Sequence, residues 1–138
     1  MTTTTIEHLS PEGLVQNPGF SHAVTVTGPV KTVYVGGQNG VDASGAVVDK
    51  DFGAQVARAL ANLQTVLAAA GAGIEDVVKW TILVVEGQPI EVGYQEFQRV
   101  WGTRPNPPAI TVAIVSDLGP PDALVEIEAI AVVPATDG

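Results

Sequence analysis

The sequence predicts an α+β fold, a sandwich with two helices on one face of a mixed β-sheet, and three patterns carry the prediction. Two short apolar runs rich in β-branched residues, Val77 to Val85 and Leu124 to Val133, read as strands. Between Asp51 and Ala70 the apolar period changes to that of a helix. Turn-rich stretches separate these blocks, and the predicted order is β-β-β-α-β-α-β-β.

Residues 1–138 fit one ordinary domain, long enough for a core. Residues 1–20 are polar, with Pro11, Gly13, Pro18 and Gly19, and read as extended, with a lead-in over residues 1–15. Ser21 to Thr27 alternates like a strand, and Thr32 to Val35 reads as a second. Gly36-Gly37-Gln38-Asn39-Gly40 opens a turn, and Ala46 to Val48 would return as a third short strand.

Val56, Leu60, Leu63, Leu67 and Ala70 form the apolar stripe of the first helix. Asp51 is its expected N-cap and Gly71 its stop, and Gln55, Arg58, Asn62 and Thr65 make its polar face. Val77 to Val85 then returns to the sheet. Glu91 to Trp101 reads as the second helix, with Val92, Phe97, Val100 and Trp101 inward. The proline-rich Thr103 to Pro108 cannot be helical. Ala109 to Val115 is the next strand, and residues 134–138 form a loose tail.

Two glutamates interrupt the last strand. A strand has a side-chain period of two, so Glu126 and Glu128 share one face with Leu124 and Ile130. Val125, Ile127, Ala129, Ala131 and Val133 make the other, wholly apolar face. A carboxylate in such a strand is costly unless it is paired, wet or used. The helices cover one face, so the face with the glutamates needs another cover. A symmetric partner subunit is the economical one, with ligand clefts between subunits.

The totals exclude several functions. There is no cysteine, hence no disulfide, thiolate site or cysteine nucleophile. No His/Asp/Glu cluster has metal-ligand spacing. The formal charge of −9, with six basic residues, argues against nucleic acid. No apolar run is long enough for a membrane span. Nothing at the start resembles a signal peptide, so the expected compartment is the cytoplasm.

Four segments in this order resemble the Rid (reactive intermediate deaminase, YjgF-like) family. They are Gly37-Gln38 before a hairpin, Gln55 to Gly71, Asp76-Val77-Val78-Lys79-Trp80-Thr81, and Val125-Glu126-Ile127-Glu128-Ala129-Ile130-Ala131. The resemblance implies a YjgF/chorismate-mutase-like fold and a homotrimer with small-molecule clefts between subunits. It also implies cofactor-free hydrolysis of reactive imines or enamines to a keto acid and ammonia. The water-activating glutamate of the family falls on Glu126. The family motif Pro-Ala-Arg-Ser, whose arginine clamps a substrate carboxylate, falls on Pro108-Ala109-Ile110-Thr111, so the arginine is replaced by Ile110. Other cleft positions fall on Phe20 beside His22, on Tyr94, and on Gly37 and Gln38.

Isoleucine offers none of the bidentate donors of arginine, and a carboxylate substrate beside Glu126 meets repulsion. The expected ligand therefore lacks the usual carboxylate. Arg104, in the proline-rich loop, is a candidate replacement clamp, although a solvent-facing loop role suits it better. A non-catalytic ligand-binding or regulatory trimer is the alternative reading of the same scaffold.

Overall fold

Strand pairing begins earlier in the chain than the sequence suggests. The computed structural model describes residues 3–135, so the last three residues of the expected tail lie outside the described residues. Strand β1, Thr5–Leu9, falls within the expected lead-in and pairs antiparallel with β2, Ala23–Thr27. Most of β1 is exposed, so selection leaves it no apolar face and its alternation carries little signal.

Strand β3 spans Val30–Gln38, longer than the Thr32 to Val35 expected. The register of β3 against the last strand shifts between Val35 and Gln38, a bulge at Gly36 and Gly37. The strand expected at Ala46 to Val48 does not form. Among the described residues that segment contributes one isolated bridge, Val41 to Val47. The Asp42 carboxylate holds the chain in a turn instead. Its Oδ1 accepts from the Ser44 amide (2.9 Å), the Ser44 hydroxyl (2.6 Å) and the Ala46 amide (3.2 Å). The order β-β-β-α-β-α-β-β is thus right, but its first three strands are not all the expected ones.

Helix α1 spans Phe52–Ala69, with the Asp51 side chain accepting from the Ala54 amide at 2.9 Å. It ends in a Schellman motif at Gly71, where φ is +79°. The Gly71 amide donates to Ala68 and the Ala72 amide to Leu67. Leu60, Leu63 and Leu67 are fully buried against the sheet, and each contributes about 2 kcal/mol by leaving water. Gln55, expected on the polar face, is fully buried too. Its amide donates to the carbonyls of Asp49 (2.8 Å) and Asp122 (3.1 Å) and accepts from the Leu124 amide (2.8 Å). With its hydrogen bonds made, a buried amide costs little, and it ties two loops to the helix.

Strand β4 (Val77–Val85), helix α2 (Ile90–Trp101), β5 (Ala109–Val115) and β6 (Val125–Pro134) complete the chain. The main sheet has the order β3-β6-β4-β5, with β4 and β5 parallel and the other pairs antiparallel. The two most buried strands, β4 and β6, are its interior pair. Val125, Ile127, Ala129 and Ala131 lie under the helices as expected. Farther along, Val132 is buried and Val133 only half-buried, where the pairing with β4 slips between Val77 and Lys79. The helices α1 and α2 approach closely where Gly93 meets Phe52, since a Cβ on Gly93 would stand 3.1 Å from that ring.

Candidate functional site

The register of the sheet sorts the candidate residues onto two faces. Glu126 is opposite Leu83, Glu128 opposite Thr81, and Thr81 opposite Thr111. These side chains share the face that the helices leave open. There Lys79 donates to the Thr111 hydroxyl at 2.5 Å. Tyr34, opposite Ile130, lies on the same face and is 76% exposed. Ile110 is opposite Trp80, which is buried and stacks edge-on against Phe97 of α2 at 5.5 Å. Ile110 and Thr111 are sequence neighbours, so the period of two sends them to opposite faces.

On the open face, Glu126 is half-buried at the bulge of β3. Its carboxylate lies against Gly37, where a Cβ would approach its Cδ to 2.7 Å. The bulge brings bare backbone over the carboxylate, which a side chain would displace. Asn39 braces the group from beneath. Its Nδ2 donates to the Val125 carbonyl at 3.0 Å and to Glu126 Oε1 at 3.4 Å. The Asn39 carbonyl in turn accepts from Asn62 of α1 at 3.2 Å. Sequence reasoning missed Asn39 because it read the glycine-rich segment as turn chemistry. The available signal was a polar residue next to a bulge facing a strand carboxylate. Gln38 does not reach the glutamate in this way; its amide donates to the Gly36 carbonyl at 3.2 Å.

On the helix face, Ile110, Tyr94 and Phe20 line a groove of about 520 Å³ between α2 and strands β4 and β5. Phe20 is brought there by the segment just before β2. The Ser21 amide donates to the Pro108 carbonyl at 3.1 Å, and the Ser21 hydroxyl to Pro107 at 2.6 Å. Tyr94 is half exposed, and its hydroxyl would stand 2.9 Å from a Cβ at Gly19. Glycine there lets the tyrosine lie across the chain. His22 is not among the groove residues. Its Nε2 pairs with the Val15 carbonyl at 2.7 Å and its ring meets Phe20 edge-on, so it holds the loop before β2.

Arg104 does not enter the groove. Its guanidinium donates to the carbonyls of Val100 (2.9 Å) and Trp101 (2.8 Å), closing the C-terminus of α2. It borders a second, polar cleft with His8, Glu75 and Asp76. Burial lowers the pKa of His8.

Within one chain, then, Glu126, Gly37 and Thr111 are on one side of the sheet, and Ile110, Tyr94 and Phe20 on the other. The family model described as endoribonuclease L-PSP matches residues 14–133. The chain belongs to this family, the Rid or YjgF family. This Rid chain is 37% identical to the rat 2-iminobutanoate/2-iminopropanoate deaminase over 118 residues, covering 82% of this chain and 79% of the rat protein. A Rid protein of unknown function from Yersinia pestis superposes with a TM-score of 0.80 at 34% identity, covering 93% of this chain and 98% of that one. RidA from an Antarctic Psychrobacter gives a TM-score of 0.67 at 28% identity, covering 91% and 94% of the two chains. The two-helix, mixed-sheet architecture is that of these Rid structures.

Proposed function

We propose that this Rid chain is a cofactor-free hydrolase of reactive imines or enamines whose substrate lacks the usual carboxylate. The observation that carries the reading is Glu126, a carboxylate braced by Asn39 on an open sheet face and laid against the bare backbone of Gly37. The relatives named 2-iminobutanoate/2-iminopropanoate deaminase support the reaction class. Ile110, where the resemblance expects an arginine, supports the altered substrate. The formal charge of −9 supports a substrate other than nucleic acid, despite the description of the family model.

In this reading Glu126 takes a proton from water as the water oxygen bonds to the imine carbon and the C=N double bond opens. Glu126 passes that proton to the nitrogen, giving a carbinolamine and regenerating the carboxylate. Glu126 then accepts the carbinolamine hydroxyl proton and returns a proton to nitrogen. The C–N bond breaks, and the products are a carbonyl compound and ammonia.

The sheet separates Glu126 from the Ile110–Tyr94 groove in one chain, so a single ligand reaches both only across a subunit boundary. A homotrimer, with Glu126 from one subunit facing the groove of the next, supplies that boundary. Sedimentation as a trimer supports this part, and a monodisperse monomer overturns it.

The activity test follows ammonia release from simple ketimines and from 2-iminobutanoate. The wild type is expected to accelerate the first and not the second. Glu126→Gln should cost at least about 100-fold, the usual range for a general base. Ile110→Arg should raise kcat/KM for 2-iminobutanoate by about 10-fold or more. If Ile110→Arg leaves the trimer intact and gains nothing, the scaffold is a non-catalytic ligand-binding or regulatory trimer. The missing arginine is the observation that keeps that second reading.

A further inference from the structure

The chain has seven aromatic residues, and six of them, Phe20, Phe52, Trp80, Tyr94, Phe97 and Trp101, line the groove between α2 and the sheet. The seventh, Tyr34, is on the opposite face of the sheet. Phe52 and Trp80 form the buried floor. The other four are half-buried or exposed and stand along the walls and mouth. A protein core packs to crystal-like density, so aromatic side chains gathered only for stability would close on one another. Here they surround about 520 Å³, a volume in the range of small-molecule sites.

Among the described residues the lining carries no Asp, Glu, Lys, Arg or His. Its polar side chains are neutral: Asn17, Gln98 and the Tyr94 hydroxyl. An anionic ligand entering here loses its hydration and finds no counter-charge. An anion also meets the field of a chain with formal charge −9. An uncharged ring meets neither penalty. It gains aromatic edge and face contacts on several sides, and its polar substituent can reach the neutral donors near the mouth.

We propose that this groove binds an uncharged, ring-bearing small molecule, with the ring over Trp80 and Phe97 and a neutral polar substituent toward Asn17 and Tyr94. The assignment deepens the proposed function and rests on its reading of Ile110 and Tyr94 as ligand-facing. It names the class of substrate the site takes.

The test uses two probes of one shape, 2-naphthylmethanol and 2-naphthoate. Affinity is read by calorimetry, and location by the two tryptophan indole N–H signals in NMR spectra of the full chain. The neutral alcohol should bind saturably, shift both indole signals, and bind at least 10-fold more tightly than the carboxylate. Val112→Trp, which fills the groove from the edge strand, should weaken it at least 10-fold. Val48→Trp, which adds the same bulk outside the groove, should not. Tyr94→Arg changes an exposed helix position, and it should weaken the alcohol and admit the carboxylate even if Val112→Trp fails to fold. Equal binding of the carboxylate, no saturable binding, or indifference to both groove variants overturns the proposal. Repeating the titration on Glu126→Gln separates the two claims. Groove binding with no imine hydrolysis sinks only the hydrolase reading; hydrolysis lost in Glu126→Gln with no groove binding sinks only this one.

Discussion

The carboxylate of Glu126 lies against the backbone of Gly37 so closely that a Cβ there would come within 2.7 Å of the glutamate Cδ. Neither residue has this relation by sequence proximity. The bulge at Gly36 and Gly37 creates it by turning bare backbone over β6.

Gly37→Ala is the sharpest probe of that relation. The atom it collides with is the far end of a flexible side chain, which moves at small cost. The fold should therefore survive with Tm nearly unchanged, while Glu126 swings out of place. Imine hydrolysis should fall by about 10-fold or more, the scale at which a displaced catalytic group is felt. Unchanged turnover in a folded Gly37→Ala protein would remove Glu126 from the catalytic role.

Gln55→Leu should do the reverse and strike stability. The substitution keeps the bulk but leaves the Leu124 amide and the carbonyls of Asp49 and Asp122 without their partner. Unpaired buried groups of this kind cost about 2–4 kcal/mol together. Denaturant unfolding should show a lower midpoint at an unchanged m-value. A loss below about 0.5 kcal/mol would mean that water replaces the amide.

His8 should make stability depend weakly on pH. Burial holds its folded pKa below the ordinary histidine value of about 6.5. The unfolded chain therefore binds the proton more readily than the folded one. Stability rises with pH between the folded pKa and about 6.5, and the penalty is fully present below the folded pKa. Glu75, Asp76 and Arg104 border the same cleft. His8→Gln should flatten the slope in that window, as read by unfolding at several pH values. An NMR titration midpoint of His8 at or above 6.5 would refute the assignment.

Much of the fold was legible because burial imposes period. Strands β4 and β5 and the ends of α1 fall where the apolar pattern and the caps put them, since these elements pack on a core that tolerates few substitutions. Strand β1 was not legible, because a largely exposed two-stranded ribbon leaves no such mark. The segment at Ala46 to Val48 misled for the opposite reason. Its residues suit a strand, but the Asp42 turn holds it, and among the described residues it pairs only through the single Val41–Val47 bridge. Gln55 looked like a surface residue because composition cannot show that three backbone groups wait for it in the interior.

The sequence by itself determined the class of fold and the placement of both glutamates on one face of the last strand. These follow from local period and residue identity. Only the tertiary structure decided that Ile110 and Glu126 are on opposite sides of the sheet, that Asn39 and Gly37 hold the carboxylate, and that six aromatic residues converge on one groove. Those facts depend on strand register, a bulge and helix docking. Each is set by contacts between segments far apart in the chain, which no local pattern records.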